Sequence, residues 1–180
     1  LVHLPPCYGS SDGEYPSVYL LHGGGMTPGS WVEASIGADV VADRLMVDGD
    51  IAPVVVVFVP RATIPSGFVE RAMDPLIEAV ERDYRVLDSP GSRAIGGFSA
   101  GGPATGLAGL SGPPRFGAVG FFAVIWSDRA AVPVAESMAE RSDRPAIRID
   151  IGDRDNLRSN VERPERDLDS LGLESEFTIV

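Results

Sequence analysis

The residues best suited to chemistry are Gly97-Phe98-Ser99-Ala100-Gly101, which form a Gly-x-Ser-x-Gly pattern. The pattern lies between a predicted strand and a predicted helix of small residues at 100–110. A serine at such a sharp turn is held in strained backbone at the carboxyl end of a sheet, and the flanking glycines let strand and helix approach closely. The helix N-terminus would also stabilise negative charge near the hydroxyl. We therefore predict that Ser99 is a nucleophile; the alternative is an incidental serine in a glycine-rich turn.

A second glycine loop, His22-Gly23-Gly24-Gly25, follows an earlier predicted strand. Acyl transfer passes through a tetrahedral oxyanion, which is stabilised by backbone N–H groups, and glycines let the chain come close enough to donate them. We assign the N–H of Gly24, or of its neighbour Gly25, as one donor and the N–H of Ala100 as the other. A plain glycine-rich turn is the alternative. A phosphate-binding loop is disfavoured, because the G-x-G-x-x-G spacing is missing and the sequence contains no lysine.

The hydrophobic pattern predicts the framework that positions these two loops. Strands are predicted at residues 17–21, 54–59, 93–98, 116–126, 146–151 and from 177 onward, and helices at 36–47, from 74, at 100–110 and at 161–171. Strands that alternate with helices in this way imply βαβ units. We therefore expect a single α/β domain with a mostly parallel central sheet.

Two of these helices carry more specific predictions. In the first helix the apolar residues Ile36, Val40, Val41 and Leu45 recur at helical spacing, and Asp48-Gly49-Asp50 is the expected stop. The second helix is expected to begin at Asp74-Pro75, because aspartate is a favoured N-cap and proline is tolerated at the first helical position. The apolar stripe expected behind that start is Leu76, Ile77, Val80 and Tyr84.

The composition disfavours several classes of partner. All 15 basic residues are arginine, and against 26 acidic residues they leave a net charge of −11, which repels nucleic-acid phosphates and anionic lipids. The single cysteine, Cys7, cannot form an internal disulfide, and no Cys/His cluster has the spacing of a zinc site. The longest apolar run, 54–59, is far shorter than the ~20 residues of a membrane-spanning helix. We expect a soluble protein that binds no nucleic acid, membrane or metal.

Five segments of the chain form a combined pattern. They are Pro5-Pro6-Cys7-Tyr8, residues 15–25 with Trp31 downstream, residues 51–54, residues 76–84 and residues 96–102. Together they resemble the esterase D family of α/β-hydrolases, which includes feruloyl and acetyl xylan esterases, S-formylglutathione hydrolases, enterochelin-type esterases and mycolyltransferases. The resemblance implies the three-layer α/β-hydrolase fold, a Ser/acid/His triad, a small-molecule ester substrate and no cofactor.

The resemblance also implies a position for the acid of the triad. The family places it after a late strand in a Gly-x-x-Asp pattern, and Gly152-Asp153-Arg154-Asp155 fits with Asp155 at the acid position. Such a carboxylate holds the imidazole of the base in one tautomer and stabilises its protonated form. Asp153 and Asp128 stay open as alternatives, and aspartates in such loops also serve simply as turn caps.

The base of the implied triad has no matching residue. In this fold the histidine follows the acid in the chain, and no histidine occurs after His22. His22 belongs to the glycine loop, where it is expected to order the backbone or to bond a neighbouring loop rather than to act as the base. His3, on the opening strand, is expected to be a surface or packing residue. Because the chain begins without Met and stops in a predicted strand, we expect residues 1–180 to be a single domain truncated at both ends. The His-bearing loop is then expected beyond Val180.

These observations predict a serine carboxylic-ester hydrolase that works through an acyl-enzyme on Ser99. An acyltransferase of the same fold differs only in its acceptor, an alcohol in place of water. A non-catalytic α/β-hydrolase-like binding domain is the alternative if the full protein lacks the histidine. The identity of the ester, the oligomeric state and the compartment are not indicated by the sequence.

Overall fold

The computed structural model describes residues 1–60, 69–124, 138, 142–158, 166, 168–170 and 172–180. The strands are β1 Val2–His3, β2 Ser17–Leu21, β3 Val55–Val59, β4 Arg93–Phe98, β5 Ala118–Phe122, β6 Ala146–Ile151 and β7 Ser175–Ile179. The longer α-helices of the described residues are α1 Ala38–Asp48, α2 Val69–Asp83 and α3 Gly102–Leu110. The strands form one sheet in the order β1-β3-β2-β4-β5-β6-β7.

The sheet is parallel except at one edge, where β1 runs antiparallel to β3. Along the chain, β2 is followed by β3, which pairs with one edge of β2. The next strand, β4, pairs with the other edge of β2. Loops that leave the carboxyl ends of two such strands diverge and form a crevice, where open α/β sheets bind ligands. Leu21 pairs with Gly97 in register, so the His22 loop and the Ser99 turn begin side by side.

The core lies on both faces of the sheet. Side chains alternate between the faces along each strand, and the larger cluster packs α2 and α3 against Tyr19, Leu21, Ile95, Val119 and Phe121. The smaller cluster, on the opposite face beside α1, consists of Met46, Val54, Val56 and Phe58 with Trp31 packed against them. All five residues of β3 are buried, as expected for a strand covered on both sides. The predicted α/β class and mostly parallel sheet are therefore confirmed.

Helix α1 forms near its predicted position and ends at the predicted stop, but most of the apolar residues that indicated it are exposed. Ile36 is 40% exposed, Val40 67% and Val41 54%. The residues that face the sheet are spaced by four along the helix, and they are Ala38, Ala42 and Met46. The small alanines are the residues that let the helix lie close to the strands.

The predicted start of α2 is also wrong, because the helix begins at Val69 and contains Pro75 inside it. Asp74 is not a cap. Its carboxylate accepts hydrogen bonds from Nε and, at 3.0 Å, from Nη2 of the buried Arg115. The Arg115 guanidinium holds the pKa of Asp74 below its usual range. The predicted apolar stripe does pack into the core, through the buried Ile77 and Val80 and the partly buried Leu76 and Tyr84.

Two further predictions fall partly on residues that the structure does not describe. The strand predicted at 116–126 is shorter and ends at Phe122, and residues from 125 to 137 lie outside the described part. The helix predicted at 161–171 falls largely outside it too, although Leu168 is helical and buried. In the part of the chain that is described, no helix is long and apolar enough to cross a membrane.

Candidate active site

Ser99 lies at a sharp turn between β4 and α3. A single turn of 3-10 helix, Ser99–Gly101, joins the two elements. The backbone of Ser99 has φ +52°, in the left-handed region. For a residue with a side chain this conformation costs about 1–2 kcal/mol, and such strain is concentrated at functional positions. Ser99 is half-buried, so part of it reaches solvent at the carboxyl edge of the sheet.

The turn leaves no room for a side chain at the two flanking glycines. A Cβ on Gly97 would lie 2.9 Å from the carbonyl carbon and oxygen of Gly101, and would also collide with Oγ1 of Thr105. A Cβ on Gly101 would lie 2.8 Å from the carbonyl oxygen of Leu21. These contacts pack the start of α3 against both β4 and the end of β2. The structure thus has the strand-turn-helix geometry that the Gly-x-Ser-x-Gly pattern predicts.

The glycine loop after β2 lies directly against Ser99. A Cβ on Gly23 would come within 3.2 Å of the Ser99 Cβ and 3.1 Å of Cδ1 of Phe98. Gly24 and Gly25 are exposed, and Gly25 has φ +74°. Ala100, directly after the serine, is half-buried in the first turn, where helix N–H groups have no partner within the helix. The two predicted donor segments are therefore brought to the same end of the sheet as the serine.

His22 is buried beneath this loop, with 5% of its surface exposed. Its Nδ1 lies 2.9 Å from the carbonyl oxygen of Gly23. Since a carbonyl oxygen can only accept, Nδ1 carries the hydrogen of this bond. The imidazole therefore holds the backbone of the loop, as the sequence led us to expect.

Asp155 lies in the loop that follows β6 at the same edge of the sheet. The residue is half-buried, and its Oδ1 accepts a hydrogen bond of 2.8 Å from the backbone N–H of Leu157. Asp153 differs, because its side chain is 65% exposed and lies 3.8 Å from Arg154 in an ion pair. The bond to Leu157 fixes the Asp155 carboxylate, and a bond to the N–H two residues on is also the turn-capping role that the sequence left open. Asp128 lies outside the described residues.

The end of β7 lies beside the Asp155 loop. The N–H of Val180 donates to the carbonyl oxygen of Ile151 at 2.9 Å, and the N–H of Asp153 donates to the carbonyl oxygen of Val180 at 2.7 Å. The two histidines of the sequence lie elsewhere. His3 is on the edge strand β1 and bonds Asp43 at 2.8 Å. His22 follows β2, which is three strand spacings from β6, roughly 14 Å at about 4.8 Å per strand.

Two residues near Ser99 were not singled out by the sequence. The Sδ of Met26 lies 3.4 Å from the point where a Gly23 Cβ would stand, the same point that Ser99 Cβ approaches. Ala123 has φ +46° at the end of β5, directly after the Phe98–Phe122 pair. Met26 directly follows the predicted glycine loop, which was a signal for the first, whereas nothing local marks the second. Among the described residues no group of His, Cys, Asp and Glu could hold a metal ion.

Comparisons with known sequences point to esterases. A family model described as "Putative esterase" matches residues 1–72. The endo-1,4-beta-xylanase/feruloyl esterase of Xylanibacter ruminicola is 31% identical over 132 residues, which are 64% of this chain and 18% of that protein. The chain therefore spans less than a fifth of the length of this curated relative.

Solved structures share the fold at lower identity. A CE1 ferulic acid esterase from Anaeromyces mucronatus, in complex with ferulic acid, has a TM-score of 0.81 at 20% identity over 99% of this chain and 75% of that one. The feruloyl esterase module from Clostridium thermocellum, complexed with sinapinate, has a TM-score of 0.84 at 17% identity over 99% and 74%. S-formylglutathione hydrolase from Staphylococcus aureus has a TM-score of 0.74 at 16% identity over 94% and 74%. These comparisons identify the fold as that of the α/β-hydrolases, and they confirm the resemblance of this chain to the esterase family.

Proposed function

We propose that this chain belongs to the catalytic domain of a serine carboxylic-ester hydrolase, with Ser99 as its nucleophile. One observation carries the proposal: Ser99 stands in left-handed backbone between β4 and α3, with Gly23 packed against its Cβ. A nucleophile elbow beside a glycine loop is the arrangement that acyl transfer requires. The likeness to esterases in sequence and fold supports the same chemistry.

In the proposed acylation step, Ser99 Oγ attacks the ester carbonyl carbon while a histidine base takes the hydroxyl proton. The carbonyl oxygen becomes an oxyanion, which accepts hydrogen bonds from the N–H groups of Gly24 and Ala100. When the intermediate collapses, the C–O bond to the alcohol breaks and the protonated base returns the proton to the leaving alkoxide. Water then attacks the acyl-enzyme by the same path and releases the carboxylic acid and Ser99.

Asp155 is proposed as the carboxylate that orients the base. Its fixed Oδ1 and partial burial suit that role better than the exposed Asp153. The strands that carry Ser99 and Asp155 are separated by β5, a gap of about 10 Å between strand axes, which the two side chains and an imidazole between them can span. We propose that this imidazole comes from the segment after β7 in the full-length protein. Val180 is hydrogen-bonded to the Asp155 loop, so that segment starts beside the acid.

The proposed substrate class is small carboxylic esters, and hydroxycinnamoyl esters are the first to test. The curated relative is named a xylanase/feruloyl esterase, and two of the matching structures are of ferulic acid or feruloyl esterases.

The test uses the full-length protein and a fluorophosphonate, in which Ser99 Oγ would displace fluoride from phosphorus. Peptide mass mapping locates the label, and hydrolysis of p-nitrophenyl acetate and methyl ferulate is measured alongside. We expect the label on Ser99, and we expect Ser99→Ala to lower kcat by roughly 10⁴-fold or more. Ser10→Ala, at an exposed serine that bonds only the nearby Cys7 carbonyl, is the matched control and should keep full activity.

Absence of both label and turnover in folded full-length protein would overturn the proposal and favour the non-catalytic binding domain. Turnover with alcohol acceptors far above that with water would move the assignment to an acyltransferase. Label at another serine, with full activity in Ser99→Ala, would remove Ser99 from the mechanism.

A further inference from the structure

The imidazole of His22 is tied to the peptide that carries the proposed oxyanion donor. His22 Nδ1–H donates to the carbonyl oxygen of Gly23 at 2.9 Å. That carbonyl and the N–H of Gly24 belong to one and the same peptide unit. Whatever fixes the direction of the carbonyl therefore also fixes the direction of the N–H.

The geometry of the peptide sets the two directions opposite to each other. The unit is planar and trans, so its C=O and N–H point to opposite sides. With the carbonyl directed to the buried imidazole of His22, the Gly24 N–H points away from that imidazole, toward the exposed side of the loop. Gly23, which belongs to the same loop as Gly24, packs against the Cβ of Ser99.

Without such a bond this peptide would rotate easily. Glycines lie on both sides of it, and glycine occupies positive and negative φ with nearly equal ease. A flip of the unit would place a carbonyl oxygen where the N–H stands, and would oppose an oxyanion with a partial negative charge. A preorganised donor avoids this reorganisation during reaction.

We infer that His22 is a positioning residue, which holds the Gly23–Gly24 peptide so that the Gly24 N–H faces the oxyanion formed at Ser99. The inference rests on the proposed function of Ser99. It assigns His22 no proton transfer to substrate, because the imidazole is buried and its role is to hold the peptide.

Three substitutions in the full-length protein separate this role from simple packing. His22→Asn places an amide N–H close to the position of Nδ1–H, whereas His22→Gln places its amide near Nε2, and His22→Leu keeps bulk without a donor. Each variant is checked by its Tm and by circular dichroism. The readouts are kcat and KM for p-nitrophenyl acetate and the rate of fluorophosphonate labelling at Ser99.

We expect His22→Leu and His22→Gln to lower kcat about 10- to 100-fold, less than the roughly 10²–10³-fold loss seen when a donor is removed outright, because the peptide still samples the active orientation. The KM should change less than twofold, and the labelling rate should fall in parallel with kcat. His22→Asn should keep at least a third of the parent kcat. If His22→Leu does not fold, the comparison of His22→Asn with His22→Gln carries the test.

Equal losses in the Asn and Gln variants, or unchanged kcat in a folded His22→Leu, would overturn the inference while leaving Ser99 as the nucleophile. A parent protein that is neither labelled at Ser99 nor active would instead refute the proposed function, and the role of His22 would fall with it. The parent measurement thus separates the two failures.

Discussion

Gly23 lies against Ser99 across the crevice between β2 and β4, so closely that a Cβ on residue 23 would lie 3.2 Å from the Ser99 Cβ. The same point lies 3.1 Å from the Phe98 ring and 3.4 Å from Met26 Sδ. Distances in this range require the neighbours to move by a few tenths of an ångström. The glycine loop therefore lies so near the nucleophile that a side chain at residue 23 would require its neighbours to shift.

Gly23→Ala is expected to move this loop away from Ser99. Because oxyanion stabilisation depends on donor positions to within a fraction of an ångström, we expect kcat for ester hydrolysis to fall by about 10- to 100-fold with a small change in Tm. Gly29→Ala is the matched control, since a Cβ there makes only an ordinary contact of 3.5 Å with Thr27 Oγ1. The measurement is steady-state kinetics of both variants. Equal kcat values would show that the close approach of Gly23 to Ser99 is unimportant for catalysis.

Gly97→Ala is expected to destabilise the fold as well as the site. The new methyl would meet the backbone of Gly101 at 2.9 Å and Thr105 Oγ1 in a region where β4 and α3 cannot separate without losing core packing. Overpacking of this kind costs roughly 1–3 kcal/mol in the free energy of unfolding. Urea denaturation measures it, with Gly9→Ala, where a Cβ meets nothing within 4 Å, as the control. A stability equal to that of the control would contradict the tight turn.

Asp155→Asn and Asp153→Asn form a matched pair that tests the acid. The bond from Leu157 N–H to Asp155 Oδ1 is one an asparagine oxygen can still accept, so the loop should stay in place. Loss of the carboxylate charge would leave the base in the wrong tautomer, and we expect kcat to fall by about 10²–10⁴-fold. Asp153→Asn, at an exposed side chain, should stay within twofold of the parent. A reversed pattern in the kinetics of the full-length protein would transfer the role to Asp153.

The site was predictable from the sequence to the extent that its constraints are local. The turn at Ser99 leaves no room for a side chain two residues before or two residues after the serine. The sequence has glycine at both positions, Gly97 and Gly101, so this constraint can be read locally. The buried face of α1 was not predictable, because burial there depends on how closely the helix approaches the sheet, which Ala38 and Ala42 permit. The start of α2 was missed for a similar reason: Asp74 has the type of a cap but is bound to Arg115, 41 residues away. Contacts between distant residues leave no local pattern.

The Asp74–Arg115 pair should make stability depend on pH in the acid range. The pKa of Asp74 is lowered in the folded protein, chiefly by its hydrogen bonds to Arg115. The stabilisation is therefore fully present above the unfolded pKa, near 4, and is lost as the pH falls through the lower folded value. Asp74→Asn should be less stable than the parent at pH 7, and the difference should shrink below about pH 4. Thermal melts of both proteins from pH 7 to pH 3 test this, and a constant difference would contradict it.

Met26 should make the site sensitive to peroxide. Of the four methionines in the sequence, Met46, Met73 and Met138 are buried, whereas Met26 is partly exposed and its Sδ packs beside Gly23 and Ser99. Hydrogen peroxide transfers one oxygen atom to an accessible thioether and leaves as water, which turns an apolar side chain into a polar one. We expect oxidation of Met26 first, by peptide mass, with ester hydrolysis falling in step. Met26→Leu keeps the bulk without the sulfur and should hold its activity under the same treatment. If Met26→Leu is inactivated as fast as the parent, the sulfoxide at Met26 is not the cause, and the thioether does not border the reacting serine.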